Sequence, residues 1–177
     1  YEIYATGKGY SQGKPVPVRI AAEAVQTVDF SDLEPPGQVD FTVVDARTTQ
    51  PLDARIGITA GQRQLVEFLG RNTFFTELDR KGRLQAALAP GRYGFTVSSG
   101  GGFLGPNQAV TLDVRPGETA TSKVALTRLF DPPASGWYSA DLHHHADQAE
   151  GVTPPEYLAR SQLAAGLDLL FVSDHDS

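Results

Sequence analysis

Turn chemistry recurs at short intervals between residues 38 and 129, and it limits this chain to short extended segments there. Arg80-Lys81-Gly82, Pro90-Gly91 and Arg115-Pro116-Gly117 each interrupt the chain before a helix could form. Between the turns the sequence predicts strands at Val39–Asp45, Ala54–Thr59, Asn72–Thr76, Leu84–Ala87, Arg92–Ser98, Ala109–Val114 and Ser122–Thr127. Apolar and polar residues alternate over Tyr93–Val97 and Val110–Val114, the pattern of a strand with one face buried. With 12 Pro and 18 Gly among 177 residues, the punctuation suits a β-sandwich better than a helix bundle.

About seven short strands with such turns point to an immunoglobulin-like or transthyretin-like β-sandwich over residues 37–130. Residues 1–36 precede it. They hold strand-like Ile3–Thr6, Val16–Ala22 and Val25–Phe30 and a loop at Gly7–Gly13, and Asp32–Gly37, with Pro35-Pro36-Gly37, reads as a linker into the sandwich. Residues 131–136 form a second linker, and residues 137–177 differ in composition. The net charge of −6, with no Lys/Arg run, argues against a nucleic acid or an anionic membrane surface as partner. No apolar run reaches membrane-spanning length. Cysteine is absent, which removes thiol catalysis, disulfides and Cys-based zinc sites. Gly100–Gly105 lacks the flanking pattern of a phosphate-binding loop.

All 4 histidines lie between residues 143 and 175. Tyr138–His143 reads as a strand, followed by a loop over 146–152. Thr153-Pro154-Pro155-Glu156 predicts a helix start with Thr153 as cap and Glu156 closing a capping box. The helix should run Pro154–Ala165, with Gly166 just past its end and a buried apolar strand at Asp168–Ser173. Strand, helix and strand with short loops make a βαβ unit with parallel strands. His143 and His145 then fall at the carboxyl end of the first strand and His175 just past that of the second, the edge where ligands gather in parallel sheets. Alternation places His143 and His145 on one side and His144 on the other. Three imidazoles on one edge suit a divalent cation, and Asp141, Asp147, Glu150, Asp174 and Asp176 supply carboxylates nearby. Trp137 and Tyr138 are expected to pack at the domain junction.

Two resemblances extend this reading. The stretches "VVDARTTQPLDARI", "TELDRKGRLQAALAPGRYGFTVSSGG" and "RPGETATSKVALTRL" resemble the carboxypeptidase-regulatory-like β-sandwich. That likeness implies a structural or carbohydrate-proximal accessory module of exported proteins. "DLHHHADQAEGVTPPEYLARSQLAAGLDLLFVSDHDS" resembles the opening of the polymerase and histidinol phosphatase (PHP) metal-dependent phosphoesterases. With the sandwich and "GWYSADLH" before it, the chain looks most like the carbaryl-hydrolase-like exported branch.

The second resemblance implies the first βαβ unit of a distorted (β/α)7 barrel. It also implies a centre of two or three zinc, manganese or iron ions, hydrolysis of a small phosphoester or ester, and a periplasmic or secreted location. His143, His145 and His175 would be metal ligands. Glu150 would stand where the family has an aspartate ligand, and Asp141 and Asp174 would orient ligands from behind. Residues 137–177 supply only the start of such a barrel. The reading therefore expects the remainder from a missing C-terminal segment or a separate, cleaved chain. An alternative of another class stays open: a non-catalytic exported β-sandwich binding module that carries a degenerate metal-binding barrel remnant.

Overall fold

The computed structural model describes residues 1–177 except 6, 8–9, 11–12, 23–24, 62–71, 149–150 and 176–177. The described chain is mainly β, with strands β1 (Glu2–Ile3), β2 (Val16–Pro17), β3 (Gly37–Asp45), β4 (Arg55–Ala60), β5 (Thr73–Phe75), β6 (Arg83–Leu88), β7 (Gly91–Ser98), β8 (Gln108–Val114), β9 (Thr119–Leu126), β10 (Ala140–His144) and β11 (Leu169–Val172), and helix α1 (Pro155–Ala164). The strands expected between residues 38 and 129 all form, with ends moved by a few residues.

A three-stranded sheet in the order β6-β3-β9 faces a four-stranded sheet in the order β5-β4-β7-β8. In the first, β3 pairs antiparallel with β6 and parallel with β9. The core lies between the two sheets. Val39, Phe41 and Val43 of β3 meet Ile56 of β4 and Tyr93, Phe95 and Val97 of β7, all fully or almost fully buried. These are every-second-residue positions, so the alternation legible in the sequence is the alternation that fills the core. Phe41 and Phe95 meet edge to face with centroids 5.1 Å apart. Tyr93 keeps its hydroxyl satisfied by donating to the Ala89 carbonyl at 2.7 Å.

The motif after β3 is a side-chain-stabilised turn. Asp45 Oδ1 accepts the backbone N–H groups of Arg47 and Thr48, each at 2.8 Å, and Thr49 takes a left-handed φ of 60°.

Several expectations need correction. Val25–Phe30 forms no strand, and the second N-terminal strand is confined to Val16–Pro17, paired with β1. Helix α1 starts one residue later than expected and has no side-chain cap. Pro154, at φ −53° and ψ 141°, holds the cap position, which leaves Thr153 outside the helix. Thr153 instead accepts Asp147 N–H at its carbonyl, at 3.0 Å, and so closes the preceding loop. The far end behaves as expected. Gly166 has φ 87°, its N–H donates to Leu163, and Leu167 N–H reaches back to Gln162.

β10 and β11 pair in parallel with α1 as the crossover. β11 is not buried, however: Leu169 is 55% and Phe171 51% exposed, because among the described residues only one helix and one neighbouring strand cover it. Trp137 and Tyr138 are also exposed and do not pack at the junction.

The Asp45 turn gives a pH test. Hydrogen bonds from Thr48 and Arg47 N–H groups hold its carboxyl below the ordinary carboxylate range, Thr48 contributing most. A lowered folded value means its stabilisation is complete above about pH 4 and fades as pH falls through the folded value. Asp45→Ala should cost about 1–2 kcal/mol at neutral pH by chemical denaturation, and the gap to wild type should narrow as pH falls below about 4.

Candidate metal centre

Parallel pairing carries the histidines to one edge. Ser173 N–H donates to the His144 carbonyl at 2.8 Å just beyond β11, which aligns the carboxyl ends of both strands. The rings of His143 and His145 stand 4.7 Å apart between centroids, at an interplanar angle of 70°. Those of His145 and His175 stand 5.0 Å apart at 88°. The three imidazoles expected to converge are therefore neighbours in space. His144 lies apart from them, its Nδ1 2.8 Å from Asp141 Oδ2.

Two side chains of β11 and its end tie this edge together. Ser173 Oγ lies 2.8 Å from His143 Nδ1 and 3.4 Å from the His144 carbonyl. A hydroxyl has one proton, so if that proton goes to the carbonyl, Ser173 Oγ accepts from His143 Nδ1–H. The His143 lone pair then sits on Nε2. Asp174 Oδ1 accepts Ala146 N–H at 2.7 Å, which holds the chain just after His145 against the start of the His175 segment. Gly151 completes the loop. Its N–H donates to the Ala146 carbonyl at 2.9 Å, and a Cβ there would come within 2.5 Å of the His145 carbonyl oxygen.

The expected orienting carboxylates act differently from each other. Asp174 braces the backbone next to His145. Asp141 binds the ring of His144 and accepts the backbone N–H of His143 at 3.2 Å, so it touches no ring of the three-histidine group. Its carboxyl is held below the ordinary range, first by the His144 hydrogen bond and then by the His143 N–H. Ser173 and Gln162 were not singled out by sequence. For Ser173 the signal was its place between the strand and His175; for Gln162, a polar residue four positions before Gly166 on an otherwise apolar helix face, it was faint. Glu150, the expected fourth ligand, lies outside the described residues, as does Asp176.

The ring spacing suits a shared cation. An ion about 2.1 Å from an imidazole nitrogen lies about 3.2 Å from the ring centre, so two neighbouring rings on one ion stand about 4.5–5.2 Å apart. Both observed separations fall in that interval. The rings meet edge to face, and among the described residues no group of three or more His, Asp or Glu side chains is arranged so that it could hold a metal ion.

Comparison with family models, with curated proteins and with solved structures gives no match to this chain. Among the described residues no helix is long and apolar enough to cross a membrane.

Ser173 gives a direct test of the site. Nitrogen-15 NMR of the histidine rings should show His143 as the Nδ1–H tautomer in the wild type. In Ser173→Ala it should show a mixture of tautomers, with the spectrum of the β-sandwich amides unchanged.

Proposed function

We propose that residues 137–177 form the opening βαβ unit of a metal-dependent hydrolase of the PHP phosphoesterase kind, held beside a β-sandwich accessory module. The observation that carries this reading is the gathering of His143, His145 and His175 at the carboxyl edge of two parallel strands. His143, His145 and His175 would hold a zinc, manganese or iron ion, with Glu150 as a further donor. A bound divalent ion there supplies Lewis-acid polarisation of a phosphoryl or ester oxygen and lowers the pKa of a coordinated water to about 7.

This chain's own residues do the positioning. Ser173 keeps His143 in the tautomer that offers Nε2, and Asp174 holds the backbone after His145. Two or three ions, as the family resemblance implies, require donors from the rest of a barrel. Leu142 is 73% exposed and, with Leu169 and Phe171, presents apolar surface on a sheet of two strands whose outer edges have no strand neighbour among the described residues. Further barrel strands, from a C-terminal segment or a separate chain, would cover it. The substrate is then a small phosphoester or ester, and the setting periplasmic or secreted.

A second reading has one observation in its favour: among the described residues no group of three or more His, Asp or Glu side chains is arranged to hold a metal ion. On that reading the sandwich is a non-catalytic binding module and the βαβ unit a remnant.

Cobalt(II) titration separates the two. The 177-residue chain should give a visible d–d spectrum with saturable binding, weakened about 100-fold or more in His145→Ala, because loss of a ligand outweighs the 10–100-fold cost of losing an outer partner. Together with the remainder of the barrel, the protein should hydrolyse a chromogenic phosphodiester and lose that activity to a chelator. No cobalt binding and no hydrolysis in the completed protein would favour the remnant.

A further inference from the structure

Helix α1 is held from two sides, and the two sets of contacts connect the sandwich to the histidine edge. On one side it meets β5, the edge strand of the four-stranded sheet. Tyr157 Oη donates to the Thr73 carbonyl at 3.0 Å, Arg160 Nε donates to the Thr76 carbonyl at 3.0 Å, and Arg160 Nη2 donates to the Phe75 carbonyl. The Phe75 and Tyr157 rings meet edge to face at 5.4 Å, and the Arg160 guanidinium lies 5.5 Å from the Tyr157 ring centre. Side chains of α1 thus occupy the flank of β5 where another strand would otherwise add. Three hydrogen bonds from two side chains, two of them from one guanidinium fork, fix both position and rotation of the helix.

On its other side α1 presents Gln162, which is 5% exposed. Gln162 Nε2 donates to Asp141 Oδ2 at 2.5 Å. Asp141 Oδ2 also takes the His144 Nδ1 contact, while Asp141 Oδ1 accepts the N–H of His143. One buried amide therefore meets the carboxylate that contacts both the backbone N–H of His143 and the ring of His144.

We propose that the sandwich is a brace for the histidine edge. Tyr157 and Arg160 seat α1 on β5, and Gln162 passes that position through Asp141 to His143 and, along the strand, to His145. Tyr157, Arg160 and Gln162 are positioning residues; none of them touches the three-ring cluster. The cation arm of the test rests on the metal reading above, whereas the backbone arm does not.

Amide hydrogen exchange of the 177-residue chain tests the brace. Arg160→Met should raise exchange at the His143 amide about 10-fold while core amides such as Val43 and Phe95 keep their wild-type rates. Gln162→Met should do the same, and the double variant should exceed neither single variant by more than about 2-fold, since both break one chain of contacts. Cobalt(II) affinity should fall about 10-fold in each. Tyr157→Phe removes the bond to Thr73 and keeps both Arg160 bonds, and should raise His143 exchange about 3-fold; it carries the test if Arg160→Met does not fold. Unchanged His143 exchange in the folded variants, or fully additive effects in the double variant, overturns the brace. A wild-type chain that binds no cobalt but shows this exchange pattern overturns the metal reading and leaves the brace standing.

Discussion

The bond from Ser173 N–H to the His144 carbonyl, at 2.8 Å, sets the register in which β10 and β11 end together. A parallel pair slipped by one residue would send alternate side chains to the opposite face, and the three imidazoles would no longer share an edge. The other contacts at this edge work within that register. Ser173 Oγ reaches His143, Asp174 reaches the N–H after His145, and the loop folds back through Gly151 against the His145 carbonyl. The cluster is thus set by backbone pairing first and by side chains second.

The sandwich has the same order of dependence. β3 lies between β6 and β9, and its inward residues Val39, Phe41 and Val43 form the centre of the core. Long-range pairing of β3 with β9, in parallel over eight residues from Gln38 to Asp45, closes the sheet between the two ends of the sandwich. Everything later in the sequence is then attached to a body that already has a fixed β5 edge.

Sequence was most informative where a strong local period or turn was at work. The strands around Tyr93–Val97 and Val110–Val114, the Gly166 helix stop, the parallel βαβ order and the separation of His144 from its neighbours all follow from alternation and turn chemistry. Misreadings arose where local signals were weak or where tertiary surroundings decide. Val25–Phe30 has strand-like residues but no partner strand, so propensity alone did not make it one. Thr153 had the chemistry of a helix cap, yet consecutive prolines shifted the start past it. The apolar run at Leu169–Val172 looked buried because such runs usually have strands on both flanks and helices on both faces; here they have neither. Gln162 was illegible as a partner of Asp141, since nothing local says that a helix glutamine will face a carboxylate 21 positions earlier.

Gly100 and Gly166 meet backbone to backbone. A Cβ on Gly166 would lie 3.0 Å from the Cα of Gly100, and one on Gly100 would overlap Leu104. The glycine run after β7, which lacks the pattern of a phosphate loop, is therefore the seat for the end of α1. That seat belongs to the sandwich, and it is made of residues synthesised well before the helix. During translation the socket can be complete before the part that fits it has left the ribosome, so assembly of the histidine edge is templated and runs in the direction of synthesis.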